Sequence, residues 1–127
     1  MFIPAVLAGI ALGGACGLVL QRLAQHGLWV LSLVAVAVFY PIFGLIDGDL
    51  TGAALHGVIL LVYLVFAYRA LSLGAEVVAV GFLLHGLFDA AVAIGDAATG
   101  PDWWPPFCAA FDIVFAMMLM AQARRTA

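Results

Sequence analysis

Five apolar stretches, each about as long as a bilayer is thick, leave this chain few folds to adopt. A helix rising about 1.5 Å per residue needs about 20 apolar residues to cross the hydrocarbon core. The stretches are Phe2–Leu20, Leu28–Ile46, Thr51–Leu71, Ala75–Ile94 and Trp104–Gln122. The segments that end them (QRLAQHG, DGD, SLG, GDAATGPD and ARRTA) hold the polar and turn-forming residues. Of 127 residues, 68% are hydrophobic and 9% charged, whereas a soluble domain is about half apolar and a quarter charged. A chain this small has too little interior to hide so much apolar surface, so lipid must be its solvent. It reads as one all-α domain, residues 1–127, an integral membrane bundle of five transmembrane helices. Loops this short make successive helices antiparallel.

Charge placement supports the count and orients it. The chain has no Lys, and its four arginines fall at three places: Arg22 follows the first stretch, Arg69 closes the third, and Arg124 and Arg125 follow the fifth. Five spans put all four on one side, whereas four spans would divide them. The opposite loops carry Asp47, Asp49, Asp96 and Asp102 and no basic residue. The arginine side is then cytoplasmic, with the N-terminus outside and the C-terminus in the cytoplasm of a plasma (inner) membrane. MFIPAVLAGIALGGACG lacks the basic start of a secretory signal and is expected to remain as a helix. No lipidation motif stands at either end. The net charge of -3 offers no basic patch to nucleic acid.

Several residues predict local structure. Trp29, Trp103 and Trp104 fall at helix starts, where amphipathic rings favour the membrane interface. Pro105 and Pro106 suit a first helical turn, whereas Pro41 lies inside the second helix and is expected to bend it and free a carbonyl. Gly9, Gly13 and Gly17, extended by Ala5, make a small-residue face for close helix approach. That face serves either a homo-oligomer or packing within the monomer. Cys16 and Cys108 lie in apolar stretches and read as small buried fillers, not as a disulfide framework. His26 is expected in a solvated loop, and Arg69 and Glu76 at the cytoplasmic edge.

Ionisable residues inside a span are costly, and so mark candidate sites. His85 and Asp112 fall near the middle of helices four and five, and Asp89 lies one turn outward from His85 on the same face. Cys108 stands in the same relation to Asp112. His56 is in the outer half of helix three, near the level of Asp89, with Tyr63 two turns deeper. Convergence of these faces would make one polar pocket opening outward, joined by Tyr40 from helix two. A carboxylate one turn from an imidazole fixes its tautomer, and two carboxyls sharing one His can hold different protonation states.

Three functions fit that pocket. One is acid–base catalysis on a lipid or isoprenoid, with Asp112 or Asp89 as acid, His85 as base and His56 nearby. Another is a proton-coupled carrier or oligomeric permeation subunit. The last is an assembly partner whose polar groups only join helices. Two His and two Asp could hold zinc or iron, but only His85–Asp89 has ligand-like spacing, and there is no HExxH or histidine box. No cofactor is required by the sequence. A phosphate-binding loop and a GxSxG elbow are both absent.

Three segments carry a resemblance. VGFLLHGLFDAAVA is similar to the WLLHxxWD segment of a family of small bacterial membrane proteins known as domain of unknown function 6010. VYLVFAYRAL resembles its aromatic helix ending in YRG or YRA, and PPFCAAFDIVFA its Pro-rich loop followed by Cys-x-x-x-Asp. The likeness covers about the C-terminal two-thirds and is loose in helix one. It implies a bacterial membrane protein with His85, Asp89, Cys108 and Asp112 at the family's polar positions. Phe82 and Phe88 stand where the family has Trp, and the His that often follow its WD are missing. The resemblance implies no reaction.

Overall fold

The computed structural model describes residues 2–23, 25–95 and 100–126. Among them are five helices: α1 (Ile3–Leu23), α2 (His26–Asp47), α3 (Leu50–Ala70), α4 (Ala75–Gly95) and α5 (Trp104–Thr126). All five are long and apolar enough to cross a membrane. Asp96, one of the expected loop acids, lies outside the described residues.

The helices match the predicted spans within a few residues, and the differences have local causes. α2 begins at His26, so that residue is helical and half-buried, not in a solvated loop. Its Nε2 lies 2.7 Å from the Ala70 carbonyl at the end of α3, ties two helix ends together and leaves the ring little water. α5 runs on through ARRT, because nothing there breaks a helix and basic side chains suit a C-terminal turn. α2 continues through Pro41. Trp29 is buried instead of capping the interface; its Nε1 donates to the Leu20 carbonyl at 3.3 Å and binds α2 to α1.

α5 packs between α1 and α4, and α4 also meets the α2–α3 hairpin. The α1–α5 contact is made by the glycine stripe. A side chain on Gly9 would strike the Phe107 carbonyl, and one on Gly13 would lie 2.8 Å from the Phe111 carbonyl. At Gly17 it would meet Met118 Sδ at 2.7 Å. The order of these pairs makes α1 and α5 parallel, as the first and last of five alternating spans must be. Of the two uses foreseen for the stripe, packing within the chain is the one displayed.

The α2–α3 turn needs a left-handed residue, which Gly48 supplies at φ 73°; its N–H bonds back to the Gly44 and Leu45 carbonyls. Asp49 then caps α3, accepting from Gly52 N at 2.8 Å. Gly44 lets the Ala53 backbone come within 2.8 Å of where its Cβ would be, which holds the hairpin closed.

In the arginine-side half, Leu33, Val78, Phe82, Phe115 and Leu119 form a tight apolar core, with the Phe82 and Phe115 rings 4.5 Å apart. The outward faces are as apolar as the core: Ile94, Ile3 and Leu50 are all highly exposed. Such a surface suits lipid and not water.

Candidate metal centre

Immediately above that apolar core, α4 and α5 bring four polar side chains together. His85 and Asp89 are one turn apart on α4, and Cys108 and Asp112 one turn apart on α5. Residues at i and i+4 share a helix face, so each helix presents a stacked pair. The helices are antiparallel, which sets His85 level with Asp112 and Asp89 level with Cys108. Gly86 permits the approach: a Cβ there would lie 2.9 Å from Ile113 Cγ1 and 3.1 Å from Asp112 Cβ.

His85 Nδ1 faces both carboxylates, 2.6 Å from Asp112 Oδ2 and 3.1 Å from Asp89 Oδ2. Cys108 Sγ stands 3.9 Å from the same Asp112 oxygen. One ligand atom from each of the four residues lies within 4.8 Å of all the others. Relative exposure is 1% for His85, 0% for Asp89 and Asp112, and 2% for Cys108. Oδ1 of Asp89 and Oδ1 of Asp112 are buried with no hydrogen-bond partner. A buried acceptor without a donor is costly, all the more a carboxylate oxygen.

The expected convergence of α4 and α5 is therefore present, but the pocket does not open outward. Side chains with no accessible surface leave no water-sized space beside them, so the cluster is closed on every side. His56 does not join the four. It packs in an aromatic group beside them, near the level of Asp89, its ring stacked on Tyr40 at 4.9 Å and edge-on to Phe88 at 6.0 Å. Tyr40 is fully buried, its ring edge-on to Phe88 at 5.9 Å. Tyr63 meets the His85 ring edge-on at 5.0 Å, which helps fix that imidazole. Cys108, expected to be an apolar filler, is part of the cluster. The signal for it is the repeated spacing already noted in the sequence, His85-x-x-x-Asp89 on one helix and Cys108-x-x-x-Asp112 on the next, which the filler reading of Cys108 outweighed.

One imidazole, one thiol and two carboxylates make a donor set suited to a borderline-soft divalent cation. Tetrahedral zinc, with bonds of about 2.0–2.3 Å, sets its donors about 3.3–3.8 Å apart. The four atoms bracket that spacing, all lying within 4.8 Å of one another with His85 Nδ1 and Asp112 Oδ2 at 2.6 Å. Magnesium and calcium fit poorly, since both take six or more oxygen ligands.

Compared with family models, with curated proteins and with solved structures, the chain finds no match. The likeness to domain of unknown function 6010 thus stands on its three segments alone.

Proposed function

We propose that this chain is a multi-pass plasma-membrane protein that binds a zinc-class divalent cation near the bilayer midplane through His85, Asp89, Cys108 and Asp112. The observation that carries this reading is the mutual approach of four buried donors, within 4.8 Å, on two facing helices. Charge balance supports it. Carboxylates held in lipid are costly unless neutralised, and a divalent cation would offset two of the three negative charges that Asp89, Asp112 and a Cys108 thiolate bring, while the imidazole ligates as the neutral base. The unpartnered Oδ1 atoms supply the spare lone pairs a cation or its second-shell partners would take up.

Acid–base chemistry on a lipid or isoprenoid is less well served. A reacting atom must come within hydrogen-bond reach of the acid and base, and these side chains are sealed from anything larger than an ion. By the positive-inside rule the arginine ends of α1, α3 and α5 lie in the cytoplasm and the acidic loops outside.

The test is metal binding by purified, metal-stripped protein. Co²⁺, a spectroscopic stand-in for Zn²⁺, should bind one ion per chain and give tetrahedral ligand-field bands. A thiolate-to-cobalt charge-transfer band should accompany them, and Cys108→Ser should remove that band while Cys16→Ser leaves it. Absence of binding by Co²⁺ and Zn²⁺ alike would overturn the reading and leave the cluster as a helix-joining contact.

A further inference from the structure

Resting on that cation site, we infer that the ion enters only from the acidic face, with His56 as the ligand that passes it inward. Three features at different depths carry this. At the surface, the ends of α2, α3 and α5 bring exposed Asp47, Asp49 and Asp102 to one face of the bundle. The chain has no Lys, and all four Arg lie at the other end, so no basic side chain opposes a cation here. Asp47 Oδ2 accepts from Gly100 N at 3.1 Å, which ties the α2–α3 turn to the segment leading into α5 and holds the acids near one another.

The second feature is His56. Six residues into α3, it lies about 9 Å below the start of that helix, and Asp89 lies about 9 Å below the outer end of α4. It is 6% exposed, and its Nδ1 is buried with no hydrogen-bond partner. An imidazole nitrogen buried without a partner, beneath an acidic face and level with Asp89, is a ligand atom in want of an ion or proton. Its ring is stacked on Tyr40 and edge-on to Phe88. Below the acidic loops the next polar layer is therefore His56, Tyr40 and Asp89, with His85 one turn deeper and the Phe88 ring packed against both imidazoles.

The third feature is what lies below. On the arginine side of His85 the next layer is Leu33, Val78, Phe82, Phe115 and Leu119, each no more than 3% exposed and none with a polar side chain. An ion crossing that layer would have to shed its ligands in hydrocarbon, which is strongly unfavourable.

The experiment uses metal-free full-length protein, reconstituted in one orientation in phosphatidylcholine vesicles that Co²⁺ does not cross. The thiolate-to-cobalt band is followed by stopped flow with Co²⁺ supplied to one face at a time. It should develop when the ion bathes the acidic face and stay absent when it bathes the arginine face. His56→Leu and the polar His56→Gln should both slow loading tenfold or more while final occupancy in detergent stays at the wild-type value. Equal loading from both faces would overturn the inference. So would wild-type loading rates in both variants, even though the cation site itself would stand. Failure of the unaltered protein to bind Co²⁺ in detergent would remove site and route together.

Discussion

Single side chains in this bundle differ in how plainly a sequence announces them. Asp89, Asp112, His56 and His85 stand out because each is expensive in lipid, and a costly residue needs a reason. Cys108 is cheap in lipid, so composition alone treats it as filler, although its Sγ is 3.9 Å from an Asp112 oxygen. What Asp112 does is decided by Asp112→Asn, which keeps size and a hydrogen-bonding oxygen near His85 but removes the charge. As a metal ligand it should lose Zn²⁺ affinity by more than about a hundredfold, since even outer-shell partners are worth 10–100-fold. Titration calorimetry on stripped protein measures this. A helix-joining role would leave binding unaltered and cost about 0.6 kcal/mol, the average for an interhelical hydrogen bond. Cys108→Ala should likewise weaken Zn²⁺ binding, yet scarcely alter folding, because the thiol packs as a small apolar group.

Between elements, glycine decides which helices can touch. Gly86 faces Asp112 Cβ and the Ala109 carbonyl, and the latter, being backbone, cannot rotate away from an added methyl. Gly86→Ala should push α5 off α4, cost about 1–3 kcal/mol as overpacking does, and weaken metal binding with it. Gly57 gives the contrast: a Cβ there meets nothing within 4 Å. Gly57→Ala should leave binding unchanged and stabilise by about 0.4–1 kcal/mol, because Ala has less chain freedom to lose. Unfolding in mixed micelles reads both variants. All five helices were legible, because apolar length and loop punctuation fix them without tertiary knowledge. Which helix meets which was not, since Gly9, Gly13 and Gly17 advertise a close partner without naming it. Trp29 misled for a related reason: a ring at a helix start suits the interface, but the Leu20 carbonyl captures this one inside.

Across the whole molecule, the two halves of the bundle have opposite characters, and that contrast makes metal binding a question of global stability. The arginine-side half is held by interlocked apolar rings. The acid-side half holds two carboxylates against one imidazole, and two charged carboxylates this close repel each other. A cation joining α4 to α5 would replace that repulsion with four bonds that the unfolded chain cannot preorganise. A ligand bound by the folded state alone stabilises it by about 2.7 kcal/mol when present at a hundred times its dissociation constant. The thermal midpoint in detergent should therefore rise with Zn²⁺ concentration and fall back when a chelator is added. Mg²⁺ at the same concentrations should not reproduce the rise, because the donor set lacks the six oxygens it takes. Asp112→Asn should abolish the dependence while its zinc-free midpoint stays close to that of the unaltered protein, the Asn amide still meeting His85. A Zn²⁺ response of equal size in Asp112→Asn would assign the stabilisation to some other site and leave α4 and α5 joined by hydrogen bonds alone.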